Sequence, residues 1–273
     1  MTLELYQFGD SPCCMKVRVV LAEKKLVWTE QFLKSWQFDH YLPDYLALNP
    51  HGIVPTLVDD RRPIFQSNVI AEYLDDKYPE PVRLKPDDPV LAAKMRKWMA
   101  EEQDHLFKQI IVLSFNTMMK LRIEAFGLDR MIAWSKLHPD QAKAQDYLTR
   151  VEAPADMEAV RRAENDFRRH SEWLEIDLAK ASGPWICGDQ FTLADICVGV
   201  IFDRVEILDR EHLWENLPNV TAWFDRLKQR PSYQKGVHPW SYRMWGPRKS
   251  VADNPFDDTE YAPPGTVHDW STG

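Results

Sequence analysis

Ser11, Pro12, Cys13 and Cys14 crowd one hydroxyl and two thiols into a single turn of chain. A hydroxyl there can donate to an anion, and a thiol there can act as a nucleophile once its pKa is lowered. Leu3-Glu4-Leu5-Tyr6-Gln7-Phe8 alternates as a strand does, and the residues from Pro12 to Lys24 have the spacing of an amphipathic helix. Pro12 suits a first helical position. Ser11 therefore stands at a helix N-terminus, where unpaired N–H groups and the positive end of the dipole favour an anion. From these residues alone, Ser11 is either an N-cap or an anion-holding donor. The helix end would also lower the pKa of Cys13 or Cys14, unless both are small thiols packing the helix.

Four further constellations bear on chemistry. Val54-Pro55 precedes the strand Thr56-Leu57-Val58. A cis peptide there would turn the Val54 N–H and C=O outward like an unpaired strand edge, open to a peptide-like ligand. An ordinary turn proline is the alternative. Gln66-Ser67 opens a helix, so the Ser67 hydroxyl and nearby N–H groups can take a carboxylate or cap the helix. Thr192-x-x-Asp195 fits a capping box with Asp for the usual Glu or Gln, and its role is structural. Glu101-Glu102-Gln103-Asp104-His105 interrupts the apolar spacing of a long helix and reads as a solvated face. The eight histidines show no metal spacing and no Cys-x-x-Cys pair exists, so no metal is expected.

The elements that must position these groups fall into two kinds. Residues 1–80 run β-α-β-α-β-β-α, the order of a thioredoxin-like α/β domain. The tight polar turn Asp59-Asp60-Arg61-Arg62 closes a hairpin, and Ser67 through Lys77 is a helix. A proline-rich run makes residues 81–89 a linker. Residues 90–246 read as all-helical, with a less regular stretch over 124–157 broken by His138-Pro139 and Ala153-Pro154. Helix Thr192–Glu206 is apolar nearly all round and so is buried. Residues 247–273 form an extended tail, either disordered or laid along the surface with Phe256, Tyr261 and Trp270 as anchors.

Composition sets bounds. A net charge of -8 argues against general nucleic-acid binding and against an anionic membrane surface. An anionic substrate then needs a local basic site. Four cysteines, two of them adjacent, do not make a disulfide framework and point to reduced thiols in the cytoplasm. The N-terminus enters a strand directly, with no charged leader, and no apolar run approaches the ~20 residues of a membrane span.

In their order and spacing the motifs resemble those of the cytosolic glutathione transferases. Ser11-Pro12-x-x-x-Lys16-Val17-Arg18 resembles the tau-class serine motif and aligns with the zeta-class pattern. Asn49-Pro50-His51-Gly52-Ile53-Val54-Pro55-Thr56-Leu57 resembles the family's cis-proline loop. Gln66-Ser67-Asn68-Val69-Ile70-Ala71-Glu72-Tyr73-Leu74 and Gly188-Asp189-Gln190-Phe191-Thr192-Leu193-Ala194-Asp195 resemble its serine motif and its buried-helix cap. The opening Met1-Thr2-Leu3-x-Leu5-Tyr6-x-Phe8-Gly9 and the stretch 124–157 are similar to bacterial β-etherases.

The resemblance implies a homodimer that uses glutathione as co-substrate. Ser11 would be the catalytic group, donating to the glutathione sulfur without becoming a covalent nucleophile. Val54 and Pro55 would bind the tripeptide backbone, and Gln66 and Ser67 its γ-glutamyl carboxylate. Asp104 would reach the γ-glutamyl amine held by the partner subunit. A hydrophobic, aromatic electrophile would sit against residues 98–120 with Trp240, Tyr242 and Trp245. Cys13 and Cys14 are possible secondary thiols, although the usual nucleophilic position of the thiol-type relatives is serine here. β-Aryl ether cleavage and dehalogenation are alternatives within the family, and a non-catalytic ligand-binding or interaction protein is the alternative outside it.

Overall fold

The computed structural model describes residues 3–35, 38–120, 127–240 and 265–271. Tyr242, Trp245, Phe256 and Tyr261 lie outside them. The first unit is built from β1 (Leu3–Gln7), α1 (Pro12–Glu23), β2 (Val27–Phe32), α2 (Pro43–Leu48), β3 (Thr56–Asp59), β4 (Arg62–Phe65) and α3 (Ser67–Lys77). β1 runs parallel to β2 and antiparallel to β3, and β4 pairs antiparallel with β3. This is the thioredoxin-like arrangement expected. The β3–β4 loop is two residues long, with Asp60 and Arg61 both at positive φ, the backbone of the hairpin turns that match strand twist.

One finding was not expected. β5 (Val267–Asp269) pairs antiparallel with β2 and completes a sheet of order β4-β3-β1-β2-β5. His268 stacks on Trp28 at 4.3 Å and its Nε2 lies 3.0 Å from Glu30 Oε2, while Trp270 meets Trp28 edge-on. Part of the segment read as a tail is therefore sheet.

α1 also differs from its reading as an amphipathic helix. Every residue from Cys14 to Leu21 is buried, Lys16 and Arg18 included. It packs against α3 on its own unit and against two helices of the second. No solvent face remains, so its cations must find partners inside.

The helical region comprises α4 (Pro89–Glu101), a π-helical turn (Glu102–Leu106), α5 (Phe107–Ser114), a second π-turn (Phe115–Met119), α6 (Leu128–Leu137), α7 (Gln141–Glu152), α8 (Met157–Ala179), α9 (Leu193–Ile207), α10 (Pro218–Lys228) and α11 (Pro231–Gly236). The stretch read as irregular is thus two helices, α6 and α7, packed on each other. The prolines end elements rather than preventing them. Met131 of α6, with Tyr147, Leu148 and Val151 of α7, packs on Phe38 and Tyr41 of the first unit.

α9 is the centre of the helical core, with Leu193 through Val205 buried. Its capping box is present as read, and Asp195 accepts four hydrogen bonds, from the Ile186 and Thr192 amides, the Thr192 hydroxyl and the Trp223 indole. α11 reaches α1 closely: a Cβ on Gly236 would lie 2.9 Å from the Val19 nitrogen. The Gly236 carbonyl accepts from Arg18 Nε at 2.7 Å.

The hairpin is tied to α3 through Asp59, whose Oδ2 accepts from Tyr73 (2.8 Å) and Lys77 (2.5 Å). Burial alone would raise this carboxyl, but the bonds from Lys77 and Tyr73 hold it below its ordinary value. A depressed folded pKa adds stability above the unfolded value and loses it as pH falls through the folded one. We expect Asp59→Asn to lower urea-unfolding stability by about 2 kcal/mol at pH 7, with the gap narrowing towards pH 3. A gap independent of pH would refute the charge-based account.

Candidate functional site

Sheet register brings three loops to one end of the sheet. β1 and β3 are antiparallel with Tyr6 opposite Thr56, so the chain leaves β1 beside the start of β3. β3 and β4 are antiparallel with Thr56 opposite Phe65, so the chain leaves β4 there as well. The segments holding Ser11, Val54–Pro55 and Gln66–Ser67 thus emerge side by side.

Ser11 precedes α1 with φ -73° and ψ 122°, and its carbonyl accepts from the Cys14 and Met15 amides. Its hydroxyl makes no capping bond to the helix. It lies instead against the Cys14 thiol. Of the two roles open to Ser11, side-chain capping is not the one the structure displays. Two buried arginines hold the loop before it. Arg18 donates to the Gly9 carbonyl (2.8 Å) and to Gln7 Oε1 (2.5 Å), and Arg204 of α9 donates to the Asp10 carbonyl.

The second loop is held from behind. The Ile53 carbonyl accepts from the Tyr45 hydroxyl (2.5 Å) and the Asn49 amide (2.9 Å), and both side chains also reach the Thr56 hydroxyl. Gly52 sits at φ +59°, with Tyr41 where a Cβ would go. The Val54–Pro55 bond is cis. Among the described residues, neither the N–H nor the C=O of half-buried Val54 has a backbone partner.

At the third loop Gln66 is exposed and takes φ 72°, an uncommon backbone for a residue with a side chain. Ser67 is buried at the first position of α3. A group that motif reading did not single out completes this corner. Lys16 Nζ reaches Asn68 Oδ1 (2.6 Å), Glu102 Oε2 (2.9 Å) and Ser67 Oγ (3.3 Å). Asn68 in turn donates to Glu102 Oε2 at 3.2 Å. Lys16 and Glu102 thus form a buried ion pair at this corner, so the cation carries its own counter-charge.

Asp104 is exposed, and it is Glu102 that enters the corner from the same π-turn. His40 is a further buried group without a sequence signal. It lies edge-on to Phe8 at 5.0 Å and beside Tyr41. Burial, with His138 nearby, lowers its pKa to about 3, so the ring is neutral. Trp98 and Trp240 do not line an open wall: both are buried, the first bonded to Asp177 and the second under the Arg18 guanidinium.

The cysteines are poor nucleophiles in this setting. Burial pushes Cys14 and Cys197 up to about 12 and Cys187 up to about 11. Half-buried Cys13 is also raised, burial outweighing the opposing effect of Lys16.

Comparison with known proteins bears on the family and the fold. Residues 10–77 match the family profile "Glutathione S-transferase, N-terminal domain" and residues 157–226 match "Glutathione S-transferase, C-terminal domain". Protein LigF of Sphingobium sp. (strain NBRC 103272 / SYK-6) is 26% identical over 250 residues, 86% of this chain and 93% of that protein. Glutathione S-transferase 3 of Zea mays is 27% identical over 237 residues, covering 86% and 93%. Tetrachloro-p-hydroquinone reductive dehalogenase of Sphingobium chlorophenolicum is 25% identical over 244 residues, covering 85% and 94%. The crystal structure of the β-etherase LigF superposes with a TM-score of 0.76 at 25% identity, over 86% of this chain and 98% of that one.

A thiol of pKa near 12 is thiolate to the extent of roughly one part in ten thousand at pH 7.5 or less. We therefore expect Ellman's reagent to leave Cys14, Cys187 and Cys197 untouched in the folded protein and to titrate all four cysteines after denaturation. Rapid labelling of Cys14 in the native state would return it to consideration as a nucleophile.

Proposed function

The chain belongs to the glutathione S-transferase family, and on that premise we propose that it is a glutathione transferase whose Ser11 hydroxyl donates to the sulfur of bound glutathione. The observation that carries the reading is the convergence of Ser11, the Val54–Pro55 loop and Ser67 at one sheet end beside Lys16.

Each part of glutathione meets a suitable group. The γ-glutamyl head bears an ammonium and a carboxylate, and the corner offers Glu102 and Lys16, one of each sign, with Ser67 at a helix N-terminus. Val54 offers a backbone N–H and C=O to an extended peptide. Gln66 stands beside Ser67 and is available to the same head group. Asp104 is exposed, free to reach a ligand in the partner of a homodimer. The same proposal places the protein in the cytoplasm, in keeping with its four free cysteines. No described helix is long and apolar enough to cross a membrane.

The energetics suit a single donor. A free thiol has a pKa of about 8.5, and lowering it by two units takes about 2.7 kcal/mol. A hydrogen bond to a charged group contributes about 1.5–3 kcal/mol and the helix terminus about 0.3–1 kcal/mol. Ser11 at the head of α1 is sufficient, and it keeps its own proton throughout. The thiolate then attacks an electrophile held by the helical unit. Half-buried Tyr41 of the first unit and His138 of the helical unit stand 4.9 Å apart, and such rings between the units favour an aromatic electrophile. Aryl ether cleavage and dehalogenation are the two reactions to test first, given the β-etherase and dehalogenase relatives.

The protein should be retained on immobilised glutathione. Ser11→Ala should still bind but turn over at least ten-fold more slowly, a loss of about 1.4 kcal/mol or more in transition-state stabilisation. Unchanged turnover would remove Ser11 from the mechanism, and failure of the native chain to bind glutathione would favour a non-catalytic binding protein on this fold.

A further inference from the structure

On the neighbouring face of the helix that carries Glu102, three side chains converge that the glutathione site does not use. Successive helical residues point about 100° apart, so Glu101 leaves the Lys16 corner and faces α8. His105 follows it across the π-turn, with Nε2 3.9 Å from Glu101 Oε2. His170 of α8 is buried, and its Nε2 lies 3.5 Å from the same oxygen. The donor atoms of all three residues lie within 4.8 Å of one another.

Two details make this more than proximity. His170 Nδ1 is 2.7 Å from the Asp166 carbonyl, which only accepts, so Nδ1 carries the proton. A neutral His170 ring then presents the Nε2 lone pair to Glu101, and the carbonyl fixes its orientation as outer partners of metal-bound histidines do. Glu101 Oε2 is buried and has no hydrogen-bond donor among the described residues. A buried carboxylate oxygen facing two imidazoles and lacking a donor is a destabilising arrangement that a cation would relieve.

We propose that Glu101, His105 and His170 bind one divalent first-row transition metal ion, Zn²⁺ being the best match. Two imidazole nitrogens and one carboxylate oxygen form a three-ligand zinc set that leaves a fourth position for water. Around a tetrahedral ion at about 2.0–2.1 Å, neighbouring donors stand roughly 3.4 Å apart. Glu101 and His170 already have that spacing. Only His105 must close in, and its exposed side chain is able to do so. Its ring already stacks on that of His170, centroids 5.1 Å apart. The π-turn belongs to the site, because π-bulges shift the facing of the residues that follow. The bound ion would join α4 to α8 beside the glutathione pocket without entering its chemistry. Sequence reading missed the site because two ligands are four residues apart without the usual motif, and the third lies on another helix.

The competing account is an ion pair between Glu101 and a protonated His170, which gives His105 no part. The test is a titration of the full, tag-free, chelator-stripped chain with Co²⁺, followed by Zn²⁺ displacement. We expect one Co²⁺ per chain, visible absorption of a four- or five-coordinate site without thiolate charge transfer, and a rise in unfolding temperature with Zn²⁺. His105→Ala and Glu101→Gln should each weaken binding at least ten-fold, and metal-free His105→Ala should unfold at the native temperature. Equal affinity in native protein and His105→Ala, a six-coordinate aqua-type spectrum, or a thiolate band would each overturn the proposal.

Discussion

Lys16 and Arg18 lie on α1 and Lys24 is its C-cap, and all three are buried. Each must be met by an acceptor, since an unpaired buried charge is strongly destabilising. Lys16 meets Glu102 of the helical unit, Arg18 meets the Gly236 carbonyl of α11, and Lys24 meets Asp75 and the Val82 carbonyl at the start of the linker. These pairings hold the sheet unit, the connecting segment and the helical unit in one arrangement. Apolar contacts could supply adhesion, but three directional pairings from one helix also set its orientation. Ser11 heads that helix, so its position at the sheet end is set by contacts made along the rest of α1.

The support continues behind the first contacts. Arg204, which grips the Asp10 carbonyl, projects from α9, and the start of α9 is held by the four bonds that Asp195 accepts. The capping box of the helical core and the loop at the sheet end are thus parts of one rigid path. The Ile53 carbonyl, clamped by Tyr45 and Asn49, gives the second loop equivalent backing from within the sheet unit. Both loops are thus held by hydrogen bonds from side chains that lie behind them.

Legibility in the sequence followed the range of each interaction. Ser11-Pro12, Gln66-Ser67 and Thr192-x-x-Asp195 are local signals, and the two-layer plan followed from them and from periodicity. α1 was misread because its Lys and Arg residues look like a solvated face until a second unit covers them. α6 and α7 were obscured because proline breaks dominate a stretch whose only described core residues are Met131 and Ala144. Asp104 comes from the family resemblance, whereas the burial of Glu102 against Lys16 depends on a contact 86 residues away in the chain, which no local pattern reveals. β5 has a three-residue signal and a partner near the other end of the chain, so no local pattern could reveal it.

β5 also covers a sheet edge laid down far from it in sequence. It is made after every other described element, yet it pairs with the second strand of the chain. Without β5, β2 would border a four-stranded sheet, with backbone groups open to any neighbouring chain. Glu30 on that strand is buried, and its Oε1 accepts from Gln7 Nε2. With β5 in place, His268 pairs with Glu30 and the Thr266 carbonyl accepts from its amide. One glutamate thus anchors, through both its side chain and its amide, the strand that closes the sheet.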